Sequence, residues 1–163
     1  MPEVRPERTG WRDEGISRRH REWGSGCPAL DIDFLLIEYD NGVPKALVEY
    51  KNEHAQPQYS SHPSYQALIQ LGNSSRIPVF ACRYASDFSW WRVVPLNEYA
   101  RFYVPDRTEM DELGWVSLLY KIREKQVPDD VVRNIQTMKL VKGCGCYQRE
   151  NSARPPVPER AIG

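Results

Sequence analysis

Apolar positions change their spacing along this chain, and the changes mark its elements. Between Trp11 and Trp23, the residues Ile16, His20 and Trp23 recur at i, i+4 and i+7, which is one face of a helix. His20 on that face reads as a packed core histidine. Gly24-Ser25-Gly26 ends the pattern. From Asp31 to Tyr39 the residues turn β-branched, aromatic and nearly continuous, which predicts a strand. Asp40-Asn41-Gly42 is a turn signal, and Lys45 to Lys51 predicts the returning strand. Leu35, Ile37 and Leu47 fall on one face of this hairpin and Phe34, Leu36 and Val48 on the other. Two apolar faces predict a hairpin inside a sheet covered on both sides.

Beyond a polar stretch from Asn52 to Ser61, Pro63 can open a helix with Ser61 or His62 as cap. Tyr65, Leu68 and Ile69 form its apolar face, and Gly72-Asn73 ends it. Pro78 to Ala85 predicts a third strand and Phe88 to Leu96 a fourth. Leu113, Val116, Leu119 and Tyr120 predict a helix within Glu109 to Glu124, and a further helix runs from about Pro128 to Lys139. Residues 1–10 read as a flexible arm, residues 11–142 as one α/β domain, and residues 143–163, with Pro155, Pro156 and Pro158, as a disordered tail. The fold class is α/β: a central mixed sheet flanked by helices, with extra C-terminal helices.

Composition narrows the function. The chain has 163 residues, with 22 Lys plus Arg against 22 Asp plus Glu. A formal net charge of zero excludes binding to nucleic acid through bulk positive charge, so any such partner needs a local basic patch or metal ions. Six arginines between Arg5 and Arg21 are nearly balanced by five acids from Glu3 to Glu22, so this segment is not a basic tail. No apolar run approaches the ~20 residues of a membrane span and no apolar leader is present, which predicts a soluble, cytoplasmic protein. Cys27, Cys82, Cys144 and Cys146 lack zinc-site spacing and read as free thiols.

The chemistry concentrates in Asp31-Ile32-Asp33 and Glu49-Tyr50-Lys51. Charges in otherwise apolar strands are costly unless paired or bound to a metal. Parity decides whether they meet. If Asp40-Asn41-Gly42 is a three-residue loop, Tyr39 faces Val43, Asp33 faces Glu49 and Asp31 faces Lys51, all on one side of the hairpin. A two-residue Asn41-Gly42 turn would place Asp33 and Glu49 on opposite faces. Two carboxylates about 4–5.5 Å apart across a strand pair suit a hard divalent cation. Asp31 and the Tyr50 carbonyl could add oxygens. Lys51 would stand beside the attacking water and offset charge on the attacked phosphate. The competing reading is a capped strand end with a solvated charged face.

Asp33, a hairpin and the acid-x-Lys triplet Glu49-Tyr50-Lys51 together resemble the PD-(D/E)XK phosphodiesterase superfamily, over roughly Trp11 to Ala85. The resemblance implies a restriction-endonuclease-like αβββαβ core, with a first strand that is short or missing here. It implies that Asp33 and Glu49 hold Mg²⁺, with Mn²⁺ as substitute, that Lys51 assists catalysis, and that Glu14 is the extra acid many members carry on the first helix. Members of the family also place a glutamine on the helix equivalent to the second one here, which singles out Gln66. His54, in the loop past the triplet, could contact a phosphate. The chain also has the look of phage and prophage proteins. The implied activity is metal-dependent hydrolysis of phosphodiester bonds in DNA, with a homodimer possible through the C-terminal helices. Two other readings are a catalytically inactive member of the fold, and a phage-type adaptor that binds nucleic acid or a host protein. Trp90-Trp91-Arg92 could stack on single strands, but strand spacing favours one tryptophan in the core.

Overall fold

The computed structural model describes residues 14–24, 26 and 28–143. The N-terminal arm, Cys27 and the segment from Cys144 onward lie outside the described residues. The elements are α1 (Glu14–Glu22), β1 (Phe34–Glu38), β2 (Val43–Asn52), α2 (Pro63–Ser75), β3 (Val79–Tyr84), β4 (Trp91–Pro95), α3 (Glu98–Arg101), β5 (Thr108–Met110), α4 (Glu112–Ile122) and α5 (Asp129–Gly143). The chain divides into two units after Gln126, and α5 belongs to the second. In the first unit one five-stranded mixed sheet runs in the order β1-β2-β3-β4-β5. β2 and β3 are parallel, joined through α2, and the other pairs are antiparallel. The first unit is thus α/β, a mixed sheet flanked by helices. No described helix is long and apolar enough to cross a membrane.

Alternation along the strands sorts the core into two layers. Ala46, Val48, Phe80, Cys82 and Val93 meet Trp115, Leu118 and Ile122 of α4 on one face. Tyr50 sits at the edge of this layer, with its ring 5.7 Å from Phe34 and 6.1 Å from Trp115. The Trp115 indole N–H donates to its hydroxyl at 3.2 Å. Leu47 and Val79 turn to the other face and meet Leu68 of α2 and Ile77. That layer is tight. A Cβ on Gly72 would stand 2.1 Å from Val79 Cγ2, so only glycine lets α2 lie this close to β3. His62 caps α2, its ring nitrogen accepting from Ser64 N–H at 3.3 Å.

The hairpin departs from its expected form in an instructive way. Glu38 pairs with Val43, so the loop Tyr39–Gly42 has four residues rather than three. Gly42, at φ 67°, donates its N–H back to Glu38 O at 2.8 Å and closes the loop. A register shift between Leu36 and Ile37 then absorbs one extra residue on β2, and Phe34, Leu35 and Leu36 pair with Val48, Leu47 and Ala46. An even loop plus a bulge has the same parity as an odd loop, so the body of the hairpin keeps the expected register.

Other expectations are corrected. β1 begins at Phe34 rather than Asp31, and it is an edge strand, so the hairpin is not covered on both sides: Leu35 is 45 % exposed. The apolar face of α1 is not core either. Ile16 and Trp23 are 46 % and 55 % exposed, and His20 is exposed with its ring 4.7 Å from that of Trp23. No strand lies between α1 and β1 among the described residues. α3 and β5 were not legible, being one helical turn and three residues long.

The exposed edge is tied down by charge. Glu38 on β1 accepts from Arg123 at 2.9 and 3.1 Å and from Lys125 at 2.7 Å, both beyond the end of α4. The Arg123 hydrogen bond, then that of Lys125, holds the Glu38 carboxyl at about 2, well below its ordinary 4.5. A lowered value means the folded state prefers the carboxylate. The resulting stability is present above the ordinary value and fades as pH falls towards the lowered one. We expect Glu38→Gln to flatten the stability curve over that window. Urea midpoints at about pH 6 and about pH 3 should lie closer together in the variant than in the wild type, and an unchanged gap would contradict the assignment.

Candidate active site

β2 is the central carrier. Its alternation sends Val48 and Tyr50 into the α4 layer and Leu47, Glu49 and Lys51 to the α2 side. Leu68 of α2 packs on Leu47 at one end of that face. Past it the strand carries an acid and a base two residues apart, and Lys51 Nζ donates to Glu49 Oε1 at 2.5 Å. Glu49 is 5 % exposed, one of two buried polar residues among those described. Its second oxygen, Oε2, is buried with no hydrogen-bond partner in the described structure. A buried carboxylate oxygen left bare costs free energy that a bound donor or cation would recover.

Asp33 stands just before β1. Continuing the register from Phe34↔Val48 sets it opposite Glu49, and its Oδ2 accepts the Tyr50 backbone N–H at 2.9 Å. The carboxylate thus binds the β2 backbone just ahead of the first residue of β1. Burial pulls the Lys51 value down, but the Glu49 hydrogen bond and charge, with Asp33 behind them, outweigh it, so Lys51 lies above an ordinary lysine. The same three charges, Lys51, Glu49 and Asp33, act on the buried Tyr65 hydroxyl of α2, whose value burial raises. Asp33, Glu49, Lys51 and Tyr65 therefore form one electrostatic neighbourhood where β2 emerges from under α2.

The remaining expected residues fare differently. Asp31 is exposed, and it does not join Asp33 and Glu49: no group of three or more His, Cys, Asp or Glu able to hold a metal occurs among the described residues. Asp31 lies before the strand starts, so no register carries it across from Lys51. Glu14 opens α1, but its side chain lies outside what is described. The Tyr50 ring enters the core on the opposite face, which leaves only its backbone to this side. Gln66 is exposed, and its amide donates to Ser60 O at 2.6 Å, back towards the loop before α2. The His54 side chain is 80 % exposed and 3.6 Å from Glu53.

The structure adds groups that reading the sequence missed. Arg83 pairs with Lys51 across β2 and β3, and Arg92 pairs with Arg83 across β3 and β4. Both share the face of Glu49. With Arg107, Tyr65 and Gln58 they line a cleft of about 230 Å³ that begins at Lys51. The available signal was a lone arginine inside the apolar strand Val79–Tyr84, at the same parity as Val79. Trp91 goes to the core, its ring stacked 6.2 Å from Trp115, while Arg92 lies 4.7 Å over the Trp90 ring.

Comparisons of the chain with protein-family models, with curated proteins and with solved structures found no match.

Proposed function

We propose that this chain is a metal-dependent nuclease of the PD-(D/E)XK type, with a restriction-endonuclease-like core, that hydrolyses phosphodiester bonds in DNA. The observation that carries the reading is Glu49: a buried carboxylate with one oxygen on Lys51, the other bare, and Asp33 opposite. The order of helix, antiparallel hairpin, helix and parallel strand supports it, since that order sets the acid-x-Lys triplet beside the entry of β1.

The donor set suits Mg²⁺. Asp33 and Glu49 offer only oxygen, and a site with two protein carboxylates leaves coordination positions for water and substrate phosphate. Mn²⁺ has the same preference for oxygen and substitutes. When bound, such an ion supplies Lewis-acid stabilisation of the charge that builds on the attacked phosphate.

The chain's own residues do the rest. Asp33, fixed by the Tyr50 N–H, and Glu49, held by burial and by Lys51, present their carboxylates without needing to reorganise. Lys51 stays an ammonium at neutral pH, because its value is raised. It donates to Glu49 Oε1 and brings positive charge to where the phosphate gains negative charge. The reading also includes a cytoplasmic location and pairing of two copies through the C-terminal helices, where Met138 and Leu140 of α5 expose apolar surface. The activity is tested by cleavage of DNA that depends on Mg²⁺ or Mn²⁺ and stops in EDTA.

A further inference from the structure

The face beside Glu49 collects basic side chains that the two-carboxylate site does not need. Lys51, Arg83 and Arg92 form a single row across β2, β3 and β4, and Glu109 of β5 ends it. Arg107, just before β5, lines the same cleft. Two of the four cations are paired: Lys51 with Glu49, and Arg92 with Glu109 at 2.8 Å. Arg83 and Arg107 have no acidic partner among the described residues. Arg83 donates to the Ala55 carbonyl, which holds the guanidinium in place without cancelling its charge.

We infer that this cleft is a phosphate-monoester site, in which Arg83 and Arg107 bind the dianion and Lys51 and Arg92 frame it. Two uncompensated guanidinium groups match two negative charges, and their forked donors match phosphate oxygens. A carboxylate would neutralise only one of them. The size agrees. About 230 Å³ lies below the roughly 300–1,000 Å³ typical of sites for drug-sized ligands, which suits a phosphate and part of its sugar. Tyr65 and Gln58 offer further polar contacts. In a chain of zero net charge, this local excess is what an anion would find.

The phosphate can come from a strand end or from a free nucleotide, and binding measurements separate the two. Full-length protein in EDTA is titrated with inorganic phosphate, a nucleoside 5′-monophosphate, and a short single-stranded oligonucleotide with and without a 5′-phosphate. The expected result is that the monophosphate binds, and that Arg107→Ala and Arg83→Gln each weaken it about tenfold or more. If the phosphorylated oligonucleotide also binds better than the unphosphorylated one, the source is a strand end. If only the free monophosphate binds, the source is a nucleotide. Arg107 is exposed, so its variant keeps the fold even if Arg83→Gln loosens the Ala55 loop. Failure of the wild type to bind any monophosphate, or equal binding by both variants, overturns the site. No metal is needed, so a failed cleavage assay leaves this result standing.

Discussion

Lys51→Ala should lower DNA cleavage by about 10²–10³-fold while leaving Mn²⁺ binding measurable. In the proposed mechanism the lysine supplies positive charge and a donor where negative charge develops, but no oxygen to a cation. Its loss therefore acts on the rate and spares the carboxylates. Glu49→Ala removes a proposed ligand and should abolish both binding and cleavage. Calorimetric titration with Mn²⁺, set beside cleavage rates for the two variants, separates these roles. The fold should survive Lys51→Ala, since the side chain is 28 % exposed and lies outside both core layers. Wild-type cleavage by Lys51→Ala would mean that the chemistry happens elsewhere and that the Glu49–Lys51 pair is only a strand-face ion pair.

The second large effect is on stability. Asn97→Ala should destabilise the protein by about 3–4 kcal/mol, a large part of a typical domain's stability. Asn97 is 4 % exposed, and its side chain joins three segments. Its oxygen accepts from Val79 N–H at 3.1 Å and from Ala100 N–H at 3.0 Å, so it opens β3 and caps α3 together. Its amide donates to Ile77 O at 2.9 Å and to Asn73 at 3.1 Å. Alanine would strand buried backbone groups that water cannot reach. Asn73 is itself exposed, so Asn73→Ala breaks one part-buried side-chain bond and should cost under about 1 kcal/mol. Urea unfolding of both variants makes the comparison, and similar midpoints for the two would contradict this account of Asn97.

What the sequence made legible follows physical range. The hairpin register depends on residues within one turn of chain, and apolar alternation pins it strongly. Its parity could be read even though the loop length was misjudged. The four-residue loop and the bulge could not be read, because Asp40-Asn41-Gly42 suits several turns and a bulge leaves no compositional mark. The α2 cap, narrowed to Ser61 or His62, and the burial of one tryptophan of the Trp90-Trp91 pair were equally local. His20 and the α1 face misled for the opposite reason. A periodic apolar stripe says that a helix could bury a face, not that it finds a partner. Asp31 failed for want of a strand partner, since β1 starts three residues later. The arginine row was the least legible feature. Lys51, Arg83 and Arg92 are far apart in sequence and meet only through the lateral register of three strands, which no local pattern encodes. Asn97 likewise carries no local signal, because the start of β3 and the end of α2 converge on it only in the fold.

The central claim is that Asp33, Glu49 and Lys51 hydrolyse a phosphodiester bond with a divalent cation. The most direct measurement incubates the protein with plasmid, linear duplex, single-stranded and branched DNA, each in Mg²⁺, Mn²⁺ or EDTA, beside Glu49→Ala as control. The account predicts cleavage of at least one of these DNAs in either cation, none in EDTA, and none by the variant. Intact DNA in every lane, or cleavage that persists in EDTA or in Glu49→Ala, would contradict it.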